Sequence, residues 1–67
     1  MRVRFSIDRM TYIIAITAAL EESRNCVRLK AVSGHDVIVS DVDVTYITDE
    51  LLKKGYFDAI NYPVRCV

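Results

Sequence analysis

Few side chains in this chain are of the kinds that do chemistry, and each would need partners brought from elsewhere in the fold. His35 is the only imidazole, set in Ser33-Gly34-His35-Asp36. A nucleophile needs a base within hydrogen-bond reach and a group that orients the base. No serine or cysteine is tied to His35 by spacing, and each residue of that tetrapeptide has an ordinary use in a turn. Cys26 and Cys66 are 40 positions apart with no Cys-x-x-Cys, so a zinc site would have to gather its ligands across protomers. Two free thiols in a reducing compartment are the commoner arrangement, and a disulfide would require the strands carrying them to be neighbours.

Asp41 and Asp43 are two apart and share a side on an extended segment, as carboxylates that hold Mg²⁺ or Ca²⁺ do. Hard cations demand several oxygen ligands from more than one element, and only His35 and Asp36 lie close by. Two glycines in total leave no phosphate-binding loop, and so short a chain has difficulty enclosing a substrate-sized pocket. Neither enzyme activity, nor a metal, nor a cofactor is expected.

Composition narrows the classes further. The 67 residues allow one domain, residues 1–67. An apolar fraction of 52% with zero net charge excludes a disordered chain, and disfavours a strongly cationic nucleic-acid binder and an acidic nucleic-acid mimic. That zero is a cancellation: residues 1–30 hold six basic and three acidic groups, residues 31–67 three basic and six acidic.

The elements that position these residues follow from periodicity. Residues 2–7 alternate, with Val3, Phe5 and Ile7 on one face and Arg2, Arg4 and Ser6 on the other, which predicts a half-buried strand. Asp8 stands where an N-cap belongs. Residues 9–24 lack Gly and Pro, carry Ala, Leu and Glu, and end at Asn25, which predicts a helix of about four turns. Its apolar positions run nearly all the way round. Met10, Ile13, Ile14, Thr17 and Leu20 would cover a sheet and leave Tyr12, Ile16 and Ala19 unpartnered. Arg2, Arg4 and Arg9 before this run resemble a signal peptide, but Asp8 interrupts the charged part and no Ala-x-Ala follows. The run is about half the roughly 20 residues a membrane span needs. A cytoplasmic protein is expected.

Residues 26–32 alternate again, and strand-helix-strand order predicts a right-handed crossover with the two strands parallel, adjacent or one strand apart. The turn at residues 33–36 predicts an antiparallel return. Residues 37–47 are rich in β-branched side chains but change apolar parity at Ser40-Asp41, which predicts a bulged single strand. Thr48 is the expected cap of a second helix, with Asp49 and Glu50 first, Lys53 and Lys54 last, and Gly55 to stop it. Residues 56–60 fit either helix or loop. Pro63 predicts an edge position for a last short strand at residues 64–67.

The sum is a small two-layer α+β domain: strand, helix, strand, strand, helix and a short C-terminal strand, its mixed sheet packed on the first helix. The function expected is a non-catalytic protein-interaction module, either a homodimer or a small inhibitor or adaptor, of the kind phages use, docked on a larger protein. Tyr12, Ile16 and Ala19 are its expected contact centre, with Tyr56, Phe57 and Tyr62 as rim. The alternative is nucleic-acid binding through Arg2, Arg4, Arg28 and Lys30 on the open sheet face. It lacks the aromatic side chains on which sheet-based RNA readers stack bases.

Overall fold

The computed structural model describes residues 1–67 as one helix and a six-stranded mixed sheet. The strands are β1 (Arg2–Ile7), β2 (Met10–Ser23), β3 (Cys26–Ala31), β4 (Val37–Ser40), β5 (Tyr56–Asp58) and β6 (Val64–Cys66), and α1 spans Val44–Lys54. Their order in the sheet is β5-β1-β2-β3-β4-β6. All pairs are antiparallel except β1 with β5.

The largest departure from expectation is the segment after Asp8, which is the strand β2 and not a helix. Residues 11–17 are Thr, Tyr, Ile, Ile, Ala, Ile and Thr, nearly all β-branched or aromatic, and they pack on a pleated surface better than on a helix. Asp8 and Arg9 are not a cap. Both have positive φ, 52° and 66°, the sign that a primed two-residue hairpin turn requires. Arg2 therefore pairs with Ala15 and Ile7 with Met10. Asn25 takes the left-handed conformation, at φ 55°, in the next hairpin turn and not at a helix end.

β2 is long enough to serve two ladders. Residues 10–15 pair with β1, and from Ile16 onward the strand pairs with β3, the register slipping between Ile16 and Ala18. That bulge bends the strand. β1 and β3 both run antiparallel to β2, so they are parallel to each other and one strand apart, as expected, but a strand lies between them instead of a crossover helix.

The apparent phase change at Ser40-Asp41 marks the end of β4. Asp41 turns the chain with φ 63°, and Asp43 caps α1, its Oδ2 accepting the Thr45 N–H at 3.1 Å. The helix thus starts before Thr48. Its end is as expected: Gly55 sits at φ 79° and donates its N–H to Leu51 O. The Gly55 carbonyl then accepts the Arg2 N–H at 3.1 Å, which leads the chain into β5 beside β1. Residues 56–58 are this strand, and β6, after Pro63, is the edge strand foreseen.

One core unites the layers. Val3 and Phe5 of β1, Ile16 of β2, Val27 and Leu29 of β3, Val37 and Val39 of β4, Ile47 and Leu51 of α1 and Phe57 of β5 are buried together. The sheet curls round this cluster far enough that β6 lies against β1, and α1 packs on β2 and β5. No helix is long and apolar enough to cross a membrane.

The parity of β2 is directly testable. Ile16 is 3% exposed and Ile13 63% exposed, opposite faces of one strand. Ile16→Ala is expected to cost about 2–4 kcal/mol and Ile13→Ala less than about 1 kcal/mol. Urea denaturation reads both, and equal costs would contradict the strand.

Candidate functional site

The sheet's outer face, away from the core, carries the polar members of each strand. In one half, β1 presents Arg2 and Arg4, with Tyr56 and Asp58 of β5 on one side and Ala15 and Ile13 of β2 on the other. Arg4 meets Asp58 with both ends of its fork, Nε to Oδ1 at 3.2 Å and Nη2 to Oδ2 at 2.9 Å. Asp58 Oδ1 also accepts the Ile60 N–H at 3.1 Å. The hydrogen bond from Arg4 holds the Asp58 carboxyl below its usual range, and the same contact raises the Arg4 guanidinium. These residues line a shallow depression of about 240 Å³ bounded by Arg2, Val3, Arg4, Ile13, Tyr56 and Asp58. Arg2 has no carboxylate partner.

In the other half, Asp36 gathers the basic residues of β3. Its Oδ2 accepts from Lys30 Nζ at 2.9 Å and Arg28 Nε at 3.1 Å, and its Oδ1 from the Ala31 N–H at 2.9 Å. Arg28 also reaches Glu22 at 3.7 Å. The Lys30 ammonium first, then the Ala31 N–H and Arg28, draw the Asp36 carboxyl down to about 2, against the desolvation of a largely buried carboxylate. Asp41 and Asp43, the carboxylates considered for a hard cation, occupy a turn and the helix cap, and Asp36, Asp58 and Glu22 are the acids that pair with these cations.

The arrangement brings together few of the residues singled out from the sequence. Ile16 is core. Ala19 is partly buried against that core, and Phe57 is buried between Tyr46, edge-on at 6.0 Å, and Tyr62 at 5.6 Å. The unpartnered helix face of Tyr12, Ile16 and Ala19 therefore does not exist. Tyr12 remains accessible at the mouth of the core, stacked on Phe5 at 5.4 Å, and Tyr56 lies on the outer face. Strand parity sets Ile13 on the outer face opposite Arg4, whereas Met10 is exposed on the core side, opposite Ile7 at the hairpin end.

His35 sits in the turn after β3 and Cys26 at the start of β3, a strand length apart, roughly 17 Å at about 3.3 Å per residue. Both cysteines are free, and the Cys26 thiol is lowered by hydrogen bonding to Ser23 and then Ser40. No three His, Cys, Asp or Glu side chains converge as metal ligands.

The Asp36 contacts have a pH signature. Its carboxyl titrates lower in the folded protein, at about 2, than in an unfolded chain, near 4, so the fold favours the ionised form. That stabilisation is complete above about pH 4 and is lost as pH falls towards 2. The urea midpoint is expected to drop across this window, and Asp36→Asn to flatten the drop. A wild-type midpoint unchanged from pH 4 to 2 would refute the assignment. Comparison of the chain with protein-family models, with curated proteins and with solved structures found no match.

Proposed function

We propose that the protein is a non-catalytic protein-interaction module, a small inhibitor, adaptor or self-associating unit. Its docking surface is the β1–β2 hairpin and the adjoining outer face, in place of the helix face expected from the sequence. One observation carries this reading: Met10, Tyr12 and Ile13, three large apolar side chains within four consecutive residues, are exposed on one hairpin, Ile13 on its outer face and Met10 and Tyr12 on the other. Arg2, Arg4 and Tyr56 flank Ile13 around the depression. Met, Tyr and Arg are the residue types enriched in the centres of protein interfaces, where each buries large area and keeps a polar or polarizable handle. The groups that would do chemistry lie apart, so binding is the activity this surface supports. Two unpaired cysteines fit a reducing compartment such as the cytoplasm.

A photo-cross-linking residue at position 13, compared with one at the exposed helix position Leu52, tests the surface in the native host. Protein adducts are expected from position 13 and not from 52. No adduct from position 13 would overturn the reading.

A second reading is nucleic-acid binding, favoured by Tyr56 lying beside the unpaired Arg2 across the β1–β5 ladder. Three of its four cations, Arg4, Arg28 and Lys30, are already engaged by Asp58, Asp36 and Glu22, which weakens it. Fluorescence anisotropy with single-stranded RNA and DNA at about 50 mM salt, where phosphate contacts are strong, is expected to show no binding. Binding lost by Arg2→Ala and Tyr56→Ala would establish this reading instead.

A further inference from the structure

β2 has a flank that no other part of the fold covers. Along residues 10–14 only β1 pairs with it, because the ladder with β3 begins at Ile16. In an antiparallel ladder successive residues point their N–H and C=O groups to opposite sides. Ile16 N–H reaches Met1 O on the β1 side, and Ala15 O accepts the Val32 N–H on the β3 side. Even-numbered residues here therefore face β1, and Thr11 and Ile13 turn both backbone groups outward to solvent.

We infer that this flank is a pairing edge for a second copy of the chain, two β2 strands joining antiparallel about a two-fold axis at Tyr12. The inference rests on the interaction-module reading and names its partner. Outward N–H and C=O groups at alternate residues are matched by an extended strand, and no other ligand satisfies them in the same register. The self-complementary register follows from parity. Thr11 exchanges two hydrogen bonds with Ile13 of the second copy, and Ile13 exchanges two with its Thr11. Tyr12 meets Tyr12 in a non-hydrogen-bonded pair, and Met10 lies opposite Ile14.

Charge agrees with this choice. Residues 10–14 hold no charged side chain, so pairing them brings no like charges together. The other stretch of β2 with an unpaired flank, from residue 18 onward, carries Glu21 and Glu22 and would set four carboxylates against one another. In the joined sheet, Arg4 of each copy is three strand spacings from its counterpart, about 14 Å, beyond the screening length of about 8 Å at physiological salt. Shape agrees as well. Where β3 leaves β2, a hollow of about 340 Å³ is lined by Ile14, Ala15, Val32 and Ser33. The register sets Met10 of the second copy, a largely exposed side chain, at its mouth.

Light scattering and cysteine cross-linking test the pairing. Wild type is expected to be a dimer across the micromolar range. Ile13→Pro removes an outward N–H that the fold does not use, and Thr11→Lys places a charge on the edge; each should give a folded monomer by circular dichroism. In a Cys26→Ser, Cys66→Ser background, Tyr12→Cys should oxidise to a covalent dimer, because residue 12 faces itself across a close pair. Thr11→Cys, which faces residue 13, should not. A wild-type monomer, or cross-linking equal at positions 11 and 12, overturns the self-pairing. If such a monomer still gives a protein adduct from position 13, the interaction reading stands without its homodimer; if it gives none, both fall.

Discussion

The architecture depends on one strand being shared by two ladders. β2 holds β1 through residues 10–15 and β3 from Ile16 onward, and the bulge between Ile16 and Ala18 sets the bend that lets both halves face one core. Without the bend, Val3 and Phe5 could not converge with Val27, Leu29 and Val39 on Ile47 and Leu51. A chain this short buries little surface per residue, so closing the sheet on itself around a single helix is an economical way to hide what apolar area it has. The shared strand also explains why so much of β2 is exposed. Neither ladder reaches its full length, and each leaves part of one flank bare.

The polar outer face obeys a second constraint, that buried carboxylates be satisfied. Asp36 accepts three donors, and no buried side-chain nitrogen or oxygen lacks a partner. Opposed halves of sequence supply these pairs: Arg4 finds Asp58 and Arg28 finds Asp36. The cancellation of charge between the two halves is thus realised in part as direct contacts. Ile38 is buried on this face although it points away from the core, with Arg28 and Arg65 opposite it on the neighbouring strands. Long basic side chains cover apolar surface with their methylenes while keeping their charge in water.

Elements with one clean periodicity were legible in the sequence. Val3 and Phe5 against Arg2 and Arg4 gave β1; Val27 and Leu29 gave β3; Gly55 after two lysines gave the helix end. The 10–23 segment was not legible, because a strand with some residues exposed on both faces has no two-residue period. Its Ala, Leu and Glu content imitates a helix, and Asp8 and Asn25 suit a helix boundary as well as a hairpin turn. The Ser40-Asp41 parity change was visible, but a bulge and a strand-to-helix turn leave the same trace in apolar pattern. The candidate site was misplaced for the same reason: helical spacing grouped Tyr12 with Ile16, whereas strand parity separates Ile13 from Ile16. Asp36 and Asp58 as the partners of the arginines depend on register, which no local pattern encodes.

The borders of the sheet, β5 and β6, are three residues each. A border that short presents one or two outward backbone pairs, too few to template an incoming strand against the entropy of ordering it. β5 is held further by its neighbours, since α1 packs on it and the Gly55 carbonyl ties its entry to Arg2. The molecule is thus blunt at both ends of its sheet, where most open sheets are vulnerable, and its longer unpaired flanks lie on the interior strand β2. Growth by addition at the margins, the route to fibrils, is closed off, and any association through the interior flank consumes that flank in each molecule and stops.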